Sequence, residues 1–181
     1  TNMSKFEGSL HINGSARLMS NVTDMKKLTL TLGDGVSIRH YQGGSSNNVA
    51  AALHVGALAD AAGYTSFKTK PTFGGSDESW FVGYNNNDAS FSGKLLTKSV
   101  TKMGTGNWTI KGNENTSSIT VKEGKLTIFN ITGVATTGTM TVGKGAVLAG
   151  TGTTNSIVAQ TGAVVKPGMT DDAVATLTTN S

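Results

Sequence analysis

A ten-residue unit recurs in this chain and limits what it can fold into. ITVKEGKLTI (119–128), MTVGKGAVLA (140–149) and IVAQTGAVVK (157–166) align without gaps, and LTLGDGVSIR (30–39) joins them, less well at its end. The shared pattern is apolar, any, apolar, two polar or small residues, Gly, any, apolar, with Gly35, Gly124, Gly145 and Gly162 in the fixed place. LHINGSARLM (10–19) is the same unit one residue shorter. Two short strands that meet at a corner produce this pattern. The corner residue needs positive φ, or has no room for a Cβ, and so is Gly. Just after one such unit, Gly150 and Gly152 are expected to turn corners as well. Gly124, Gly145 and Gly162 stand 21 and 17 residues apart. A unit that small cannot bury its own apolar pairs, whereas stacked copies bury them in a shared interior.

The rest of the chain supports short strands. Leu10/Ile12, Leu28/Leu30/Leu32, Val36/Ile38, Ile119/Val121, Leu126/Ile128, Met140/Val142 and Ile157/Ala159 alternate with polar residues, the period of a half-buried strand. Helical periodicity is weak. Its best candidate is the Ala-rich 47–63, which Gly56 interrupts and which reads equally well as strand plus loop. Hairpins compete with stacked coils: Asn13-Gly14 and Asp34-Gly35 suit two-residue hairpin turns, whereas KEG, GKG and QTG suit them less. A sandwich of hairpins therefore stays open at this point.

Composition fits a turn-rich β protein. Hydrophobic residues are 36% and charged residues 14%, with 24 Gly and 2 Pro, and the regular apolar pairs argue against disorder. The length suits one domain. Cys is absent, which excludes disulfides and thiolate chemistry. No apolar run is long enough for a spanning helix, and no signal peptide is evident; the first residues read like the interior of a longer chain or a mature start. The net charge of +4 is mild, its basic residues are scattered, and only Arg17 and Arg39 are arginines. Nucleic-acid binding, which wants a clustered Arg-bearing face, is not expected.

The segment SVTKMGTGNWTIKGNENTSSITVKEGKLTI (99–128) resembles the repeat of bacterial autotransporter passengers and their relatives with autotransporter-associated β-strand repeats. Lys102, Gly104, Gly106, Ile110, Gly112, Asn115, Gly124 and Leu126 match in type, with the Asn shifted by a residue or two. Upstream, VGYNNNDASFSGKL (82–95) is similar to the stretch that precedes such a repeat. Downstream, GTMTVGKGAVLAGTGT and GAVVKPG with ATLTTN are similar to the stretch on its C-terminal side. The resemblance covers 80–181 well and 1–79 only in style. It implies a right-handed parallel β-helix, secreted or held at the bacterial cell surface, with adhesion or display functions. It departs from the family in lacking the β-barrel that succeeds a passenger. The chain is thus expected to be a single β-helix domain over 1–181, less regular over 1–79 and repeat-like over 80–181, and a fragment of a longer surface protein whose neighbouring coils continue it. Coils of ~20 residues spaced ~4.8 Å apart give eight or nine coils and a rod of ~40 Å. Stacking also explains the Thr and Asn content, through Thr and Val on pleated faces and Asn ladders between coils.

Chemistry is sparse. Because β-helices include polysaccharide lyases and hydrolases, acidic clusters matter, yet the chain has 11 acidic residues and nothing nominates a catalytic pair. Asp171-Asp172 reads as a solvated turn, Asp77-Glu78 as a polar loop or part of a calcium or sugar site, and Asp34 as turn chemistry. His11, His40 and His54 match no metal motif, and His11 is an outward strand residue. No catalytic residue, metal or cofactor is expected. Phe73, Trp80, Phe81, Tyr84 and Phe91 cluster beside GGSDES and NNND. Exposed rings with amides and carboxylates nearby can hold sugars, and Trp80 and Tyr84 are the candidate platform, with Asn85, Asn86 and Asp88 as hydrogen-bonding partners. The alternative places Trp80, Phe81 and Phe91 in the core. Trp108 is expected to face outward.

The function expected is a non-catalytic display segment of an adhesin-like protein, extracellular or at the bacterial cell surface. Its partners would be glycans or surface proteins of a host or the environment, with no nucleic acid and no membrane span in this chain. The alternatives are a carbohydrate-binding or accessory module of a polysaccharide-active protein, and a fragment of a β-helix lyase.

Overall fold

Short alternating segments broken by Gly and Asn fold into nineteen strands among the described residues, with no helix. The computed structural model describes residues 3–19, 22–41, 51–61, 71–75, 77–112, 116–129, 136–168 and 175–180. In chain order the strands are β1 (Gly8–Ile12), β2 (Ala16–Met19), β3 (Asp24–Leu32), β4 (Ser37–Tyr41), β5 (Ala51–Asp60), β6 (Thr72–Phe73) and β7 (Glu78–Val82). Then come β8 (Ala89–Phe91), β9 (Lys94–Leu95), β10 (Ser99–Lys102), β11 (Asn107–Ile110), β12 (Ser118–Val121) and β13 (Lys125–Ile128). The last are β14 (Thr139–Val142), β15 (Val147–Gly150), β16 (Thr153–Thr154), β17 (Ser156–Ala159), β18 (Val164–Pro167) and β19 (Thr178–Thr179).

These strands stack as a parallel β-solenoid. The longest sheet runs β1-β3-β5-β7-β10-β12-β14-β17, eight strands and therefore seven spacings, or roughly 34 Å. A second face runs β8-β11-β13-β15-β18, a third β2-β4-β6-β9, and β16 pairs with β19. Every ladder is parallel, as in β10 with β12 and β11 with β13. The hairpin sandwich is thereby overturned: successive strands cannot pair with each other when each pairs with its counterpart one coil on. The one antiparallel contact among the described residues is the isolated bridge of Gly150 with Gly168. The Ala-rich stretch contributes strand β5, which overturns its helical reading over 51–60 and bears out the strand of the other one. Residues 47–50 and 62–63 of that stretch, and the adjacent acids Asp171-Asp172, lie outside the described residues.

The recurrent unit encodes a corner. Gly35, Gly124, Gly145 and Gly162 have φ of 65°, 65°, 76° and 82°. The unit is not tied to one corner, however. At 119–128, 140–149 and 157–166 it turns from the long sheet to the second face, whereas at 30–39 it turns from β3 to β4 and the third face. Nor is the gapless alignment fully kept. Ile119 pairs with Met140, 21 residues on, but Leu126 pairs with Leu148, 22 residues on. One extra residue is absorbed at the Gly145 corner, and Val147 is consequently only half-buried.

The long strands β3 and β5 turn a corner without ending. The first half of β5 pairs with β7, while the second half of β3 pairs with β1, and the β3–β5 register shifts between Met25 and Thr29. At this bend a Cβ on Gly56 would lie 2.6 Å from the carbonyl oxygens of Lys26 and Leu28, so only Gly lets the two coils approach.

Inward rows build one continuous core. Leu53, Trp80, Val100, Ile119 and Met140 align rung on rung and are buried. Trp108, Leu126 and Leu148 do the same on the second face. Just before successive long-sheet strands, the buried Thr97, Thr116 and Thr136 form a ladder. Thr97 and Thr116 share a hydroxyl contact of 3.1 Å, Thr116 donates to the Leu95 carbonyl at 3.3 Å, and Thr136 donates to the Thr116 carbonyl at 2.8 Å. Among the described residues, Asn side chains bridge coils to backbone and Thr partners instead of stacking on one another. Thr127 donates to Asn107 Oδ1 at 2.8 Å, and Asn155 donates to the Thr137 carbonyl at 3.0 Å.

Candidate functional site

Alternation along β7 decides what the aromatic segment can offer. Glu78, Trp80 and Val82 point inward; Ser79 and Phe81 point outward. Trp80 is 0% exposed and packs on Phe73, ring centroids 4.1 Å apart at 52°. It therefore cannot serve as half of an exposed platform. Its Nε1 donates to Glu78 Oε2 at 2.8 Å, and Glu78 Oε1 accepts the His40 backbone N–H, also at 2.8 Å. Glu78 is accordingly no part of a polar loop: it is a buried carboxylate satisfied by two donors. Trp108 is inside too, its Nε1 donating to the Leu58 carbonyl at 3.0 Å. It stands two residues from Ile110, and residues two apart share a strand face, so the expected outward placement fails on the strand's own period. Phe91 is core.

The remaining candidates lie at the β7–β8 corner and divide in two. Asn86 and Asp88 are exposed but engaged with the next coil. Asn86, with φ 60°, accepts the Thr105 N–H on Oδ1 at 2.9 Å, and Asp88 accepts the Asn107 N–H at 2.7 Å. Tyr84 and Asn85 turn the other way, toward earlier coils. Tyr84 Oη and His54 Nδ1 share a hydrogen bond of 2.8 Å, and Asn85 Nδ2 donates to Thr29 Oγ1 at 3.0 Å.

The structure thus assembles a patch that sequence reasoning missed. His54 of β5 and Phe81 of β7 occupy adjacent outward positions in register. Their rings stack at 4.7 Å and 15°, and Tyr84 tilts against His54 at 5.6 Å and 55°. Lys26 Nζ lies 5.4 Å from the Tyr84 ring centroid and 3.5 Å from Asp24 Oδ2. Burial holds the His54 imidazole below its ordinary pKa, the Lys26 charge adds to this, and Asp24 opposes it. Burial raises the Tyr84 phenol, as do Asp24 and Glu123. Both shifts favour the neutral form of the group. Phe81 was legible as outward from its inward neighbours Trp80 and Val82, and His54 from Leu53 and Val55. What no local pattern carries is the 27-residue coil that puts them side by side.

Lys102 is a second buried polar group. It stands in register between Val82 and Val121 on an inward row. Its Nζ donates to the carbonyls of Met103, Gly104 and Glu123 at 2.7, 2.8 and 3.3 Å. Burial lowers its pKa to about 8, with Glu123 and Asp88 pulling it back up. The match of Lys102 to the resembled repeat thus corresponds to a corner clamp. Among the described residues no three His, Asp or Glu side chains come together, and no helix is long and apolar enough to cross a membrane.

No family model matches the chain, and a comparison with curated proteins finds no match.

Proposed function

We propose that this chain is a non-catalytic display segment, a rod that spaces and presents surface features in a secreted or cell-surface bacterial protein of the adhesin type. The in-register inward ladder supports this reading. From Leu53 to Met140 one row repeats through coil after coil, and the buried polar groups Glu78, Lys102, Thr116 and Thr136 are committed to holding coils together. Such a scaffold gains length by repetition and leaves its outer residues free to vary. The resemblance of 99–128 to autotransporter passenger repeats points the same way.

The test is surface exposure in intact cells. An epitope tag at Lys144, an exposed corner position, should be stained and then removed by external protease without lysis. A tag protected until the cells are broken would overturn the surface reading. Incubation with pectin or alginate in the presence of calcium should release no unsaturated products. Their appearance would replace the display reading with the lyase one.

A further inference from the structure

The outward rows of the long sheet form a continuous track that starts at the ring patch. Pairing places Asp24, His54, Phe81, Thr101, Thr120, Thr141 and Val158 in one row, each beside the next. The row beside it holds Ser79, Ser99, Ser118, Thr139 and Ser156. Ser99 donates to Ser79 at 2.9 Å and Ser156 to Thr139 at 3.1 Å, so hydroxyls at both ends of the row are held in lateral contact. From Phe81 to Val158 neither row carries a charge, and the two charges nearest the rings, Lys26 and Asp24, pair with each other.

The geometry points to a binding site for a neutral polysaccharide chain laid along the rod axis. One sugar would rest its C–H face on the Phe81 and Tyr84 rings, and the following sugars would bond to the Ser and Thr hydroxyls. Three features select this ligand class. Half-buried rings fixed by stacking and by the Tyr84–His54 bond present apolar surface at little entropic cost. Hydroxyls repeating every ~4.8 Å act as both donors and acceptors, which suits a polyol. The two rows themselves offer an acidic polymer no ion pair, since the exposed Lys98 and Lys122 stand beside them and not in them. The site keeps only Tyr84 of the expected platform: Trp80 has no part in it, and Asn86 and Asp88 are engaged elsewhere. It goes beyond the display reading, because a rod that binds no glycan is still a rod.

Affinity electrophoresis of the chain through gels containing a soluble β-glucan, a galactomannan, a xylan or polygalacturonate tests this. Retardation is expected in at least one of the three neutral polymers and not in polygalacturonate. Phe81→Leu, which keeps apolar bulk but removes the ring, should weaken binding at least tenfold. Thr120→Arg, which obstructs the track on the solvent side, should do the same, and Lys144→Ala should leave binding unchanged. Thermal melts of the variants separate loss of binding from loss of folding. No retardation in any neutral polymer would overturn the proposal, as would retardation only by the acidic one. So would binding unaffected by both variants while their melts match the parent's.

Discussion

Lys102 sits where its neighbours in the ladder are Val82 and Val121, and it is tolerated because its stem is apolar and its ammonium reaches three carbonyls at the corner. Its pKa of about 8 in the fold, against an ordinary value of 10.5, has a consequence of definite sign. Between these values the unfolded chain holds a proton that the folded chain has lost, so stability rises with pH across this window. Chemical denaturation at pH 7.5 and pH 10 should show this gain in the parent relative to Lys102→Met, in which the titrating group is gone. Equal pH dependence in both would show that the carbonyl contacts hold the charge at its ordinary pKa. Trp80 makes the companion point. Its truncation to Ala should cost about 3–5 kcal/mol through cavity formation, and more where it leaves Glu78 short of a donor. Urea unfolding monitored by circular dichroism measures this, and a cost below about 1 kcal/mol would contradict its place in the core.

At the scale of one corner unit, β14 and β15 show what the repeat specifies. Met140, Val142 and Leu148 are buried, Gly145 turns the corner with φ 76°, and Lys144 projects into solvent. Val142→Asp would put a carboxylate into the inward row between Val121 and Ala159. That should cost at least about 3–5 kcal/mol, the usual penalty for an uncompensated buried charge. Lys144→Ala should stay within about 0.5 kcal/mol, as surface changes do. Side-by-side thermal melts decide it, and equal tolerance of the two would refute the stacked corner. This much was legible because the alternation and the Gly are local. The half-burial of Val147 was not, because it stems from the one-residue difference between the 21- and 22-residue registers, which exists only between two coils. Gly152 shows the same limit: it stands at the expected corner, between β15 and β16, but without a positive φ.

Across the whole molecule each coil is held chiefly by its two neighbours, so protection should grade along the rod. In this 181-residue chain the last rung exposes Val158, Val164 and Val165 by 53, 46 and 39%, whereas β12 and β13 are covered on both sides. Amide hydrogen exchange should therefore be fastest in β17 and β18 and slowest in β12 and β13. Uniform protection across these strands would mean that the solenoid opens as one unit rather than from its end.

The sequence by itself determined that this chain makes short strands, where many of them turn and which side of most strands faces inward, because alternation and positive-φ glycines act within a few residues. It also held the answer for Trp80 and Trp108: both keep the phase of their inward neighbours, and the strand period outweighs any appeal to exposed rings. Only the tertiary structure decided that the strands pair in parallel with the next coil and not with each other. It alone gathered His54, Phe81 and Tyr84 into one patch and brought Asn86 and Asp88 against the backbone of the following coil. The reason is coil length. Residues meet across a solenoid at separations set by the full circuit, from 17 residues between Thr139 and Ser156 to 35 between Ser37 and Thr72, and the circuit varies with each corner and loop.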